Sequence, residues 1–237
     1  RFKCAAYAAI AIVFQFLSGS SQVCFYTYIV LLFFTAFYAI YLKSPIRKKF
    51  IAYSLLSLSL GMLILLPQIV ASYELIKMGP QMAPSYEFFA QYSVPRDAIP
   101  AFFLPFLYGG FDGTVGTFAF FLAVAAFWRE EKTNVHVKFW GLIAVVAFLL
   151  ALGDTLRPLN KIMFHVPVYN FFRGSGKHLV EVCFALSILA GFGMSALLKE
   201  NGAKPYRRAL IVMLSLTLVF SAVSYFLFRE RLNVLFP

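Results

Sequence analysis

The sequence predicts an all-α fold that crosses a membrane about seven times. Of the 237 residues, 61% are hydrophobic and only 13% are charged, whereas soluble domains average roughly 45–50% apolar and about 25% charged residues. Seven apolar stretches are separated by polar segments. We expect each stretch to be helical, because in lipid a helix satisfies its own backbone hydrogen bonds.

The predicted spans differ in length, and a full span needs about 20 residues. Four stretches meet or nearly meet this requirement: 23–42, 51–71, 179–198 and 209–228. Three are short and must recruit flanking residues: 4–17, 116–128 and 139–153. We predict one transmembrane domain over residues 1–237. Because the chain begins without Met and almost inside an apolar stretch, we expect a fragment of a longer protein.

The basic residues predict the orientation. If the N-terminus is cytoplasmic, the cytoplasmic segments hold 13 of the 21 Lys and Arg residues, and these segments are 1–3, 43–50, 129–138 and 199–208. Basic residues concentrate on the cytoplasmic side of membrane proteins. Two long outer loops follow, at about 72–115 and 154–178. The first contains an aromatic stretch at 98–108 that we expect to lie in the interface. The working face is therefore expected outside.

Composition also excludes some functions. The net charge of +11 does not indicate nucleic-acid binding, because the basic residues lie in short loops and form no RNA-binding motif. Cys4, Cys24 and Cys183 show no metal-ligand spacing, and we expect them to be small buried residues. The three histidines are equally scattered, so no metal ligands are predicted.

Several local motifs carry a resemblance to a known family. They are Gly-Ser-Ser-Gln at 19–22, Leu-Pro-Gln at 66–68, Ser-Tyr-Glu at 85–87, Tyr-Ser-Val-Pro at 92–95, Leu-Pro-Phe-Leu-Tyr-Gly at 104–109, Ala-Leu-Gly-Asp at 151–154 and Val-Tyr-Asn-Phe-Phe-Arg-Gly-Ser-Gly-Lys at 168–177. In this order and spacing the chain, from about residue 19 to 198, resembles the middle of the YfhO family of bacterial membrane proteins. That family belongs with the GT-C glycosyltransferases. The chain departs from the family pattern at 174–176, where we expect a proline.

The resemblance implies a GT-C-like enzyme of the bacterial cytoplasmic membrane. It would move a sugar from a polyprenyl-phosphate donor to a cell-envelope polymer on the outer face. Relatives differ in their need for a divalent metal, so that cofactor stays open. The resemblance also implies an acidic base in an earlier outer loop, before this chain begins. The alternatives are a transporter or flippase of lipid-linked sugars, and a non-catalytic membrane scaffold.

Two basic residues are the predicted ligands of the lipid phosphate. Arg173 can bind the departing phosphate through paired hydrogen bonds, and Lys177 can neutralise it as a point charge. The alternative is that both anchor a helix end at the interface. The segment 174–177 is not a nucleotide phosphate loop, because Phe171 and His178 occupy positions that such a loop requires to be Gly and Ser or Thr.

Carboxylates and polar side chains at the outer span ends complete the predicted site. Glu74 and Asp154 are the candidate catalytic residues, acting as a general base or binding sugar hydroxyls. For Glu74 the alternative is an ion pair with Lys77. Three further residues are candidates for sugar binding, with helix packing or interfacial placement as the alternative: Gln22, Gln68 and Tyr86. Glu181 is expected to stabilise a helix N-terminus.

Overall fold

The computed structural model describes residues 2–78, 85–96, 115–127, 134–198, 208, 211–223 and 226. Every regular element in these residues is helical, which confirms the all-α class. The α-helices are α1 Phe2–Leu17, α2 Ser21–Tyr41, α3 Ser44–Met78, α4 Tyr86–Phe89, α5 Thr117–Ala125, α6 Val135–Ala151, α7 Arg157–Phe164, α8 Leu179–Leu198 and α9 Ile211–Val223. Short 3-10 helices cover Gly153–Leu156, Tyr169–Phe171 and Ser175–His178.

Helix length and apolarity support the membrane assignment. Within the described residues three helices are long and apolar enough to cross a bilayer, namely Ser21–Tyr41, Ser44–Leu75 and Ser175–Leu198. A fourth is added if α6 and Gly153–Phe164, which meet at 95°, form one broken span. α1 and α9 are apolar but shorter, and α5 has only 9 residues. The count of seven spans therefore stays a prediction.

Helix α3 corrects two predicted boundaries. Its 35 residues reach about 52 Å at 1.5 Å per residue, well beyond a hydrocarbon core of about 30 Å. It begins inside the segment 43–50 that we assigned to a connector, and it continues through Pro67 to Met78, into the predicted outer loop. A proline removes only one backbone hydrogen bond from a helix, which this long helix tolerates.

The second predicted outer loop is also largely helical. Residues 154–178 contain α7 and most of the three 3-10 helices, so this segment is largely helical, and its placement outside the membrane stays a prediction. α7 is a short amphipathic helix. It was not predicted, because its sequence begins with polar residues and a proline, Arg157-Pro158-Leu159-Asn160. The interfacial stretch 98–108 lies outside the described residues.

The chain divides into two compact units. Unit 1 comprises Arg1–Phe89 and Val166–Phe172, and unit 2 comprises Ala90–His165 and Arg173–Pro237. The single transmembrane domain over residues 1–237 stays a prediction. Each unit has its own buried core.

In unit 1, helices α1, α2 and α3 form an up-down-up group. Their shared core contains Ile12, Cys24, Leu58 and Leu65. The Gln15 side chain donates to Thr27 Oγ1 at 2.8 Å and links α1 to α2. Short turns join the three helices, as expected for antiparallel neighbours. α1 and α3 therefore run in the same direction, so their N-terminal ends lie at one end of the group.

In unit 2, helix α8 packs against α5 and α6. The α5 contact is close, because a Cβ atom at Gly193 would overlap Leu122 O and lie 2.8 Å from its carbonyl carbon. Small residues permit such close backbone approach between membrane helices. The α6 contact is aromatic, with Trp140 and Phe184 ring centroids 5.4 Å apart. A rigid α5–α6–α8 core follows, and it supports the loops at its end.

Candidate functional site

Three distant stretches of unit 2 meet at the start of α8. They are 92–94, 151–155 and 173–178, and together we call them the three-segment junction. The Val94 N–H donates to Ala151 O at 3.2 Å, and the Gly176 N–H donates to Tyr92 O at 3.1 Å. All three stretches contain motifs that carried the family resemblance. The fold therefore joins sequence features that are up to 84 positions apart, as in the Gly176–Tyr92 bond.

The Ser93 hydroxyl connects all three stretches. It donates to Ala90 O at 2.7 Å and accepts the Asp154 N–H at 2.9 Å. It also accepts the Ser175 hydroxyl at 3.1 Å. A serine hydroxyl offers one donor and two acceptor positions, so these three bonds use its full capacity. Thr155 Oγ1 adds a further link by donating to Val94 O at 2.7 Å.

Two glycines allow the stretches to approach so closely. Gly153 has φ +50, and a Cβ atom there would overlap the Ser93 and Ser175 hydroxyls and lie 2.8 Å from Ser93 Cβ. A Cβ atom at Gly176 would lie 2.6 Å from Tyr92 O. Neither position has room for a larger side chain. The geometry of the junction is therefore set by backbone contact.

Besides Gly153, two residues of the junction have positive φ angles. Gly174 has φ +82, which a proline, fixed near −65°, cannot adopt. The proline that the resemblance predicts within 174–176 would therefore not fit at position 174. Tyr92 has φ +55, a conformation that costs a non-glycine residue about 1–2 kcal/mol. Its hydrogen bond from Gly176 helps to hold it there, and such strain tends to cluster at functional sites.

The predicted phosphate ligands lie on the surface of the junction. Arg173 and Lys177 flank the turn at 174–176, and both are exposed. The Arg173 guanidinium lies 5.7 Å from the centroid of the Tyr92 ring. An exposed cation–π contact contributes only about 0.5–1 kcal/mol, less than a charge-assisted bond to phosphate. The contact with Tyr92 is thus weaker than a bond from Arg173 to a phosphate.

Of the two candidate carboxylates, Asp154 belongs to the junction. Its backbone N–H is held by Ser93, and its Oδ1 atom lies 3.7 Å from Arg157 Nε. Both side chains are about half exposed or more, and such pairs contribute about 0–1 kcal/mol. The carboxylate is thus oriented by the backbone and only weakly held by its ion pair.

His178 and Glu181 form a pair where the junction meets α8, and this pair was not predicted from the sequence. His178 is 2% exposed, and its Nδ1 atom is hydrogen-bonded to Glu181 Oε2. This bond ties the 3-10 helix Ser175–His178 to the first turn of α8. Side chains three residues apart lie on one helix face. A His and a Glu at this spacing, at a predicted helix start, could therefore have indicated the pair. Glu181 has a specific partner in addition to the helix dipole.

The remaining predicted residues belong to unit 1. Glu74 and Gln68 are exposed on α3, and Glu74 lies in the last two turns of that helix. No Glu74–Lys77 ion pair is present among the described residues, and the Lys77 ammonium lies 4.6 Å from the centroid of the Tyr73 ring instead. The structure therefore does not bring these two residues into the junction's own unit.

Gln22 and Tyr86 lie near an aromatic cluster of unit 1. Gln22 is buried and donates to the Tyr26 hydroxyl at 2.8 Å, a bond within α2. The ring centroids of Tyr86 and Phe89 lie 6.4 Å apart. In the contacting pairs of this cluster the ring centroids lie 5.1–6.5 Å apart. The cluster comprises Phe25, Tyr26, Phe89, Tyr169 and Phe172. Beside them, Asn170 Oδ1 is buried without a hydrogen-bond partner in the described part of the chain.

Cysteine and metal chemistry receive little support. In the described ranges no three His, Cys, Asp or Glu side chains come close enough to hold a metal ion, so these residues offer no ligand set for a divalent metal. Cys24 is buried as expected, whereas Cys4 is exposed, which corrects the expectation of burial there. The requirement for a metal stays open.

No protein-family model, curated protein or solved structure matches this chain. The membership of the YfhO family therefore stays a prediction from the motifs.

Proposed function

We propose that the chain is part of a membrane glycosyltransferase that uses a polyprenyl-phosphate-linked sugar. The observation that carries this proposal is the convergence of Asp154, Arg173 and Lys177 on one junction. A carboxylate and two basic side chains are the groups that such a transfer needs. The seven-span, GT-C-like arrangement and the outward orientation of the junction are parts of the same proposal.

The proposed chemistry assigns a role to each group. The bond between the anomeric carbon of the sugar and the donor phosphate oxygen breaks, and its electron pair stays with the phosphate. The acceptor hydroxyl oxygen forms the new bond to that carbon, and its proton passes to a carboxylate. Arg173 and Lys177 stabilise the departing phosphate dianion. Asp154 is the favoured carboxylate because it belongs to the junction, and Glu74 is the second candidate.

The rigid junction supports this assignment. Catalytic groups act best when the surrounding structure holds them in position before the substrate binds. Ser93, Gly153 and Gly176 fix the backbone on either side of Asp154 and Arg173. Below them, the His178–Glu181 bond fixes the turn that carries Lys177. A basic residue that only anchors a helix end at the interface would not require a backbone fixed by so many contacts.

The test is transfer of radiolabelled sugar from polyprenyl phosphate to envelope polymer, using the full-length protein in bacterial membranes. We expect Arg173→Ala to reduce transfer at least tenfold, since a hydrogen bond to a charged group contributes about 1.5–3 kcal/mol. Lys161→Ala is the matched control, because Lys161 is an exposed basic residue of α7 outside the junction. Equal transfer by both variants at normal abundance would reject the role of Arg173. No transfer by the wild type would favour a transporter or scaffold.

A further inference from the structure

Unit 1 contains an open pocket that the proposed transfer does not use. It lies between the first turn of α1 and the first half of α3 and has a volume of about 410 Å³. Small-molecule sites usually measure about 300–1,000 Å³. The lining residues are mainly apolar or small, with one lysine among them: Cys4, Ala5, Ile46, Lys49, Phe50, Tyr53, Ser54 and Ser57.

The pocket follows from the pattern of α3. Its lining residues recur at 46, 49, 50, 53, 54 and 57, which is the spacing of one helix face. That face turns toward the small residues Cys4 and Ala5 of α1. Farther along, α1 and α3 close together, where Ile12 contacts the α3 backbone at Gly61. The small side chains of Cys4 and Ala5 thus leave an apolar space beside α3 near the N-terminal ends of the two helices.

The sequence of this part of the chain carries only positive charge. Residues 1–73 contain six Lys and Arg and no Asp or Glu, and the first acidic residue of the chain is Glu74. Three basic residues lie together in the first turns of α3, at Arg47, Lys48 and Lys49, and all are exposed. Lys49 alone among these three lines the pocket. No carboxylate within the first two helices can neutralise it.

We propose that this pocket binds an anionic phospholipid of the surrounding bilayer. The Lys49 ammonium binds the headgroup phosphate, and one acyl chain enters the apolar space beside Ala5, Phe50 and Tyr53. Basic pockets between membrane helices on the cytoplasmic side bind anionic headgroups in this way. The predicted orientation places this end of the helices at the cytoplasmic leaflet. This site depends on the membrane assignment but not on the proposed sugar transfer.

Lys48 provides a matched control for Lys49. The two lysines are adjacent, equally charged and both exposed, but they point about 100° apart around the helix, and only Lys49 lines the pocket. Diffuse attraction of anionic lipid to basic residues would depend on both. A built site depends on Lys49.

The experiment measures the dissociation constant of the first bound lipid by native mass spectrometry of the full-length chain. The probes are palmitoyl-oleoyl phosphatidylglycerol and phosphatidylcholine. We expect tighter binding of phosphatidylglycerol, weakened about fivefold by Lys49→Gln, because each basic residue near the headgroup contributes about 1 kcal/mol. Lys48→Gln should change it less than twofold. Ser54→Phe, which fills the pocket, should weaken binding about tenfold, whereas Ser54→Ala should not.

Four results would overturn the proposal. They are equal binding of the two lipids, equal effects of Lys48→Gln and Lys49→Gln, no effect of Ser54→Phe, and full displacement of phosphatidylglycerol by excess inorganic phosphate, which would indicate an ion site. Lys49→Gln should leave the transfer of radiolabelled sugar unchanged, because Lys49 lies in unit 1 and has no role in the proposed transfer. The failure of either proposal can thereby be recognised without the other.

Discussion

Replacing Gly153 by alanine should break the three-segment junction. A Cβ atom there would overlap the Ser93 and Ser175 hydroxyls and lie 2.8 Å from Ser93 Cβ, so those side chains must move apart. The substitution also places alanine at φ +50, which costs about 1–2 kcal/mol. Loss of two hydrogen bonds made by Ser93 adds about 1 kcal/mol each. We expect a loss of about 3–4 kcal/mol in unfolding free energy.

The assay is SDS-induced unfolding of the purified full-length chain in mixed micelles, followed by circular dichroism. Gly191→Ala is the control, because Gly191 lies within α8 and a Cβ atom there meets nothing within 4 Å. Alanine should stabilise that helix position by up to about 1 kcal/mol. If Gly153→Ala unfolds at the same detergent fraction as the wild type, the described packing at Gly153 is wrong.

Three further substitutions test other parts of the structure. Ser93→Ala should cost about 1–3 kcal/mol in the same unfolding assay, because it leaves the Asp154 N–H without its acceptor; an unchanged midpoint would contradict this. Gly193→Ala should abolish close packing of α8 on α5, seen as loss of disulfide cross-linking between cysteines placed in the two helices; retained cross-linking would refute the contact. Ser85→Ala should raise the pKa of Glu87, measured by carbon-13 NMR titration. An unchanged pKa would exclude the hydrogen bond between the Ser85 hydroxyl and the Glu87 carboxylate.

The direction of the Glu87 prediction follows from its hydrogen bonds. Its own backbone N–H and the Ser85 hydroxyl lower the pKa of this exposed carboxyl below its ordinary value. Because the pKa is lower in the folded state, the carboxylate stabilises the fold at pH values above its ordinary pKa of about 4.3. This contribution is lost as the pH falls through the lowered pKa of the folded state. Ser85→Ala removes the second of the two causes, so the pKa should rise only partway.

Apolar periodicity predicted the helices better than their ends. The stretch 179–198 coincides with α8, and 23–42 differs from α2 by one or two residues at each end. The ends of α3 were missed because basic residues begin it and Pro67 lies within it. In each case local composition suggested a boundary, but the backbone stays helical through end residues that are mostly exposed.

The junction could be predicted only in parts. The motifs at 92–95, 151–154 and 168–177 were recognised separately, and Asp154, Arg173 and Lys177 were named from them. Their meeting depends on hydrogen bonds between residues 61 and 82 positions apart, which no local pattern reveals. The left-handed conformation of Tyr92 is also hidden, because tyrosine has no preference for it. Gln22, by contrast, was named for its chemistry, and the structure shows its amide bonded to Tyr26.

The most direct test of the central claim is binding of polyprenyl phosphate to the purified full-length chain. The dissociation constant should be measured for the wild type, Arg173→Ala and Lys161→Ala in the same detergent. If the junction binds the lipid phosphate, Arg173→Ala should weaken binding at least tenfold, and Lys161→Ala should match the wild type. Equal dissociation constants for all three proteins would contradict a lipid-phosphate site at the junction.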